Sequence, residues 1–302
     1  MKILIFLFLL VSPNITFGQF SENLLNKIRY ASEDYYIARD TLSITGSNTL
    51  PCLDIMINNK GPYRFLIDLG SSVMNFKQSV VLDAKMNIIV DRERGDIAMA
   101  NKIQIGKSVF LNVYGAVYED LDVDGVIGFN LIGKMNFMMD YPNMKFAFIS
   151  ETNELKDSTY SQYEEIGRMP YLKAKIGDKY AYINFDTGAS GWLYFPSSFK
   201  DSLNFKTAIR NGKEVWNNQT GTTQSAKAQI SDNVSFGNFV IKEPLVVFLS
   251  DIDDIFVGSS LLKDFKLTFY ISQKLVKMNR DKENDIIIIP VEEKTTSNNV
   301  YK

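Results

Sequence analysis

The 302-residue sequence contains no histidine, and its single cysteine is Cys52. Without histidine, no Ser-His-Asp triad, Cys-His pair or His-ligated zinc site can be built. A lone cysteine cannot close a disulfide within the chain and has no neighbours with which to share a metal cluster. An excess of charge of one sign is missing too. With 33 basic and 35 acidic residues the net charge is −2, which offers no electrostatic footprint for nucleic acid or an anionic membrane. An apolar run of membrane-spanning length is also absent, since Ile3–Val11 is too short. Acid–base chemistry near neutral pH therefore falls to carboxylates, lysine or tyrosine.

What is present begins with a secretory signal. Lys2 supplies the positive end, Ile3–Val11 the apolar stretch, and Thr16-Phe17-Gly18 small residues at the cleavage-determining positions. Residues 1–18 are expected to be removed, leaving a mature chain that starts near Gln19. Export without disulfides suits a bacterial periplasm, or secretion from a bacterium, better than a eukaryotic extracellular space. The remaining length and the 45% hydrophobic content are enough for two domains with substantial cores.

Two short stretches carry the chemistry. FLIDLGSS, Phe65 to Ser72, runs three apolar residues into Asp68 and then releases the backbone at Gly70. YINFDTGAS, Tyr182 to Ser190, does the same with Asp186 and Gly188. A carboxylate at the end of a buried strand is costly unless it is hydrogen-bonded or used. Taken alone, either stretch is more often a turn than a site.

The surroundings repeat as well. Leu50–Ile57, a turn and Tyr63–Asp68 predict a hairpin, and Met169–Ile176, a Gly177-Asp178 turn and Tyr180–Asp186 predict another. Asp124 to Phe148 aligns without gaps on Asp254 to Met278, setting Gly128 against Gly258 and Phe137 against Leu267. The chain reads as an internal duplication of two β-rich lobes, at 48–150 and 166–290. The polar stretch 151–165 suits a linker, 19–47 shows helical spacing over Ser21–Asp40, Asp285–Val291 predicts a last strand, and 291–302 suits a disordered tail. Polar, turn-rich segments at Arg92–Asn101 and Trp216–Ser225 suit mobile hairpins. Asp124 and Asp254 are expected to satisfy backbone donors. The acidic run Glu119–Asp122 lacks the spacing of a calcium loop and reads as solvated. Trp192 and Tyr194 are expected to pack beneath the second motif.

Two Asp-x-Gly strand ends, each followed by an apolar-apolar-Gly segment and duplicated along one chain, resemble the aspartic peptidases. The bilobal arrangement looks like the pepsin type, and the compact units look like bacterial retropepsin-like domains joined in tandem. The resemblance covers about Leu50 to Met278. It implies an all-β, bilobal, acid-protease-like fold, with two duplicated β-barrel lobes and an active-site cleft between them.

It also implies peptide-bond hydrolysis by a water activated between Asp68 and Asp186, as catalytic residues about 3 Å apart that share one proton. Gly70, Ser71, Thr187 and Gly188 would support the loops. Ser71 would bond the outer oxygen of Asp68, a contact that Ala189 cannot offer Asp186. No cofactor and no metal are implied; the partner is a peptide or protein substrate, and the chain is expected to act as a monomer. Asp186-Thr187-Gly188-Ala189 matches the family pattern fully. Leu69 stands where the family has Thr or Ser, which removes one hydroxyl between the lobes and can leave a buried N–H without its partner. That departure keeps a second reading open: an impaired or inactive homologue that grips extended peptides without cleaving them.

Overall fold

The strand Lys60–Asp68 buries both of its faces as it approaches the aspartate. Phe65 and Ile67 point into the main core, while Leu66 packs with Cys52 and Val126 on the other side. An unbroken apolar run is what such a doubly covered strand requires. The computed structural model describes residues 27–29, 31–32, 34–47, 49–89, 96–150, 159–215, 222–280 and 286–288. The chain is all-β, with a closed six-stranded barrel and further sheet.

The barrel runs from Leu50–Ile57 to Lys60–Asp68, Gly125–Gly128, Met74–Lys77, Ser108–Tyr118 and Ile97–Ile105, then back to Leu50–Ile57. Of its two parallel steps, one matters most for the site. Gly125–Gly128 lies alongside Phe65–Asp68, which brings Gly128 level with Asp68. The loop after Asp68 then crosses over Gly128 so closely that a Cβ there would sit 2.3 Å from the Val73 carbonyl oxygen. Only glycine fits under that crossing.

The pairings recur in the second half. Met169–Ile176 pairs with Lys179–Asp186, which lies parallel to Ile255–Gly258 with Gly258 level with Asp186. Ile255–Gly258 in turn pairs with Leu193–Pro196, and that strand with Leu245–Leu249. The place of Ile97–Ile105 is divided here: Thr222–Gln229 pairs with Leu245–Leu249, and Val234–Phe236 pairs with Met169–Ile176.

Beneath both Asp strands lies a run of six strands drawn from the two halves. It passes from Tyr160–Ile166 to Leu275–Arg280, Phe265–Tyr270, Phe137–Asp140, Lys145–Phe148 and Thr41–Ser43. Its centre is aromatic. Phe269 stacks on Phe137 at 4.8 Å between ring centroids and meets Phe129, Tyr163 and Phe185 edge-on. Because it touches both halves, Phe269→Ala is expected to cost about 3–5 kcal/mol. A denaturant titration followed by tryptophan fluorescence measures this loss, and an unchanged midpoint would show that the ring cluster does not join the halves.

Three sequence expectations need correction. The helical spacing over Ser21–Asp40 gives only a short helical segment at 27–29 among the described residues. Ala31 takes a left-handed φ of 51°, and Asp34–Tyr36 then pairs antiparallel with Val109–Leu111. Tyr35 and Tyr36 favour a strand, and the barrel edge offers them hydrogen bonds that an isolated short helix lacks. The linker 151–165 is in part a strand, because Tyr160–Ile166 pairs on both sides. Its polarity misled because Tyr163 is its only buried residue. The predicted last strand is short: Ile286–Ile287 lies parallel to Val240–Ile241. The signal at 1–18, the segments 90–95, 151–158 and 216–221, and the tail 291–302 lie outside the described residues.

Candidate active site

Asp68 and Asp186 end equivalent strands and face each other across the two halves, both partly exposed. Their carboxyls lie within hydrogen-bonding reach of one another. Each also lies against the opposite loop's glycine. A Cβ on Gly188 would come within 2.7 Å of Asp68 Oδ2, and one on Gly70 within 2.8 Å of Asp186 Cγ. Glycine is needed at both positions for close approach, as the sequence suggested.

Backbone donors hold each carboxylate in place. The Gly70 N–H donates to Asp68 Oδ1 at 2.8 Å, and the N–H groups of Gly188 and Ala189 donate to Asp186 Oδ1 at 3.1 and 2.9 Å. Ala189 thus serves Asp186 through its main chain. Ser71 does not bond the outer oxygen of Asp68 with its hydroxyl, contrary to expectation. Its Oγ donates to the Val73 carbonyl at 2.9 Å and accepts from Asn75 Nδ2, bracing the loop from within. A nearby carbonyl on its own loop satisfies the hydroxyl locally.

Thr187 ties the halves together. Its Oγ1 accepts the Leu69 N–H at 2.9 Å and donates to the Ile67 carbonyl at 2.7 Å. Leu69 therefore keeps a partnered N–H through the hydroxyl that the second loop retains. Its side chain is fully buried in the main core. Across the site, the Ser259 hydroxyl donates to the Thr187 carbonyl at 2.7 Å, and the Ser259 N–H donates to the Ala189 carbonyl at 2.7 Å.

The electrostatics separate the two acids. Burial raises the Asp68 carboxyl above its ordinary value, but N–H groups turned toward it and the Asp186 carboxyl oppose that rise. Asp186 is pushed well above the ordinary value, first by burial and then by the negative charge of Asp68. Burial and like charge thus favour a pair that holds a single proton. A pair in this state can take a proton with one oxygen and give one with the other.

Asp124 accepts the Arg64 N–H at 2.8 Å, whereas Asp254 accepts the Tyr171 hydroxyl at 3.0 Å in place of a backbone donor. Tyr194 stacks on Phe256 and Trp192 packs against the core, so both sit as packing residues. Among the described residues, no group of three or more Cys, Asp or Glu is placed to hold a metal ion. No helix there is long and apolar enough to cross a membrane.

Two residues near the pair were missed. Ser259 carried a faint signal, because it aligns with Phe129, a polar residue against an apolar one. Tyr141 carried none, since only the folded chain brings it beneath Thr187. No family model matches the chain, and no curated protein matches it.

Proposed function

We propose that the chain is an aspartic-type endopeptidase, a bilobal protein whose two duplicated β-barrel lobes flank a cleft that takes an extended peptide. The observation that supports this most directly is the facing carboxyl pair. Asp68 and Asp186 sit within hydrogen-bonding reach, and burial together with their mutual repulsion favours one proton on the pair, which we assign to Asp186.

The chemistry follows from that asymmetry. A water held between the acids gives a proton to Asp68 while its oxygen attacks the peptide carbonyl carbon. Asp186 gives its proton to the carbonyl oxygen, so a neutral tetrahedral diol forms without a free hydroxide or alkoxide. Asp68 then passes its proton to the departing amide nitrogen, and the C–N bond breaks. Asp186 recovers a proton as the diol collapses to the carboxylic acid. Neither step asks for a metal or cofactor. Peptide or protein is the substrate class, and an exported location belongs to the same proposal.

The binding-only alternative drew on Leu69. The Thr187 hydroxyl still joins the two strand ends, accepting the Leu69 N–H and donating to the Ile67 carbonyl, and this supports the catalytic reading. The mature protein, incubated with a peptide library from about pH 3 to pH 8, is expected to cleave it, and a statine-type transition-state mimic to block cleavage. Peptides retained but uncut would establish the binding reading. Neither cleavage nor retention would sink both.

A further inference from the structure

Tyr141 follows the shared-sheet strand Phe137–Asp140 and is 1% exposed. Its hydroxyl is buried beside the hydroxyls of Thr187 and Ser259, within the field of both carboxylates, yet it makes no hydrogen bond of good geometry. A tyrosine hydroxyl is not normally buried without a partner. The neighbouring hydroxyls supply what it lacks. Ser259 Oγ spends its proton on the Thr187 carbonyl, and Thr187 Oγ1 spends its own on the Ile67 carbonyl. Thr187 Oγ1 also accepts the Leu69 N–H and keeps one lone pair, Ser259 Oγ keeps its acceptor capacity, and the Tyr141 proton is the donor beside them.

The first loop has no such support. Leu69 stands where Thr187 stands in the second loop, and Phe129 stands where Ser259 stands. The hydroxyls of Thr187 and Ser259 thus have no counterpart at Leu69 and Phe129, and Tyr141 reaches them from the first half. We propose that Tyr141 is a positioning residue: with Ser259 it forms a hydroxyl cluster that holds the Asp186 loop in register and replaces the cross-half hydroxyl absent at Leu69. This rests on the endopeptidase reading for its catalytic consequence, though not for its geometric one.

Tyr141→Phe keeps the ring and removes only the hydroxyl, so the fold should survive; a melting curve checks that. Two readouts separate positioning from simple packing. The first is the titration of the aspartate carboxyls by carbon NMR, which needs no turnover. The second is peptide cleavage across pH. If Tyr141 holds the loop, the variant lets the carboxyls drift apart, and the gap between the pair's two apparent pKa values narrows. Turnover then falls on the order of tenfold or more at unchanged KM. Adding Leu69→Thr to Tyr141→Phe should restore part of both. A variant that titrates and turns over like the wild type overturns the proposal. So does one that loses turnover while its carboxyl titration is untouched. Should the wild type cleave nothing, the endopeptidase reading fails, and the titration still decides the role of Tyr141.

Discussion

Asp68→Asn and Asp186→Asn are each expected to abolish peptide cleavage, with rate losses of about a hundred- to ten-thousandfold or more. Asparagine keeps the shape and can still accept the Gly70 or Gly188 N–H, but it can neither take a proton from water nor give one to a carbonyl. The same variants make a second, opposite prediction about stability. Burial and the charge of Asp68 raise the folded-state pKa of Asp186 above its ordinary 3.8. A carboxyl that holds its proton more tightly when folded contributes stability that is fully present below the unfolded value. That contribution is lost as the pH rises through the folded value. Asparagine has no proton to lose. Asp186→Asn should therefore melt above the wild type at neutral pH, and the advantage should shrink to nothing below about pH 3.8. Asp68→Asn should behave likewise but more weakly, since N–H donors already offset much of its burial. Calorimetry across pH, run beside a cleavage assay, reads both effects. Variants that are inactive but share the wild type's pH dependence of melting would show that the carboxyls are not a buried pair.

Thr187→Val is the second large effect. Valine matches threonine in shape but leaves the Leu69 N–H and the Ile67 carbonyl, both buried, without their shared partner. Each unmet group costs about 1–3 kcal/mol. Because those bonds join strand ends 118 and 120 residues apart in sequence, their loss also frees the two loops to separate. A displacement of about 1 Å at the reacting groups can cost on the order of a hundredfold in rate. Leu69→Thr alone is expected to do far less. Thr187 already joins the halves through the Leu69 N–H and the Ile67 carbonyl, so the added hydroxyl supplements a contact that holds without it. Denaturant midpoints and kcat/KM for the two variants give the comparison directly. Wild-type stability in Thr187→Val would show that the cross-half hydroxyl holds nothing.

Much of this arrangement was legible beforehand. Both aspartates, the glycines two residues on and the level glycines at 128 and 258 were marked by local pattern. Close backbone approach and doubly buried strands leave signatures in neighbouring residues. The errors lie where a segment's partner is distant. Asp34–Tyr36 carried helical spacing but found hydrogen bonds at the edge of Ser108–Tyr118. Tyr160–Ile166 was too polar to be read as a strand, yet it is held by neighbours on both sides. Ser71 donates to the Val73 carbonyl two residues on, in place of the Asp68 carboxylate.

By itself, the chain of letters determined which chemistries are impossible, that strands dominate, and which two acids stand at corresponding points of a repeated pattern. These follow from residue inventory and short-range periodicity. Only the tertiary structure decided that the Leu69 N–H meets the Thr187 hydroxyl, that the two aspartates lie close enough to favour one proton between them, and that Tyr141 lies beneath Thr187. Each of those depends on donors, acceptors and burial supplied by segments far apart in sequence. No local pattern encodes the distance between two groups that meet only when the halves close on a shared sheet.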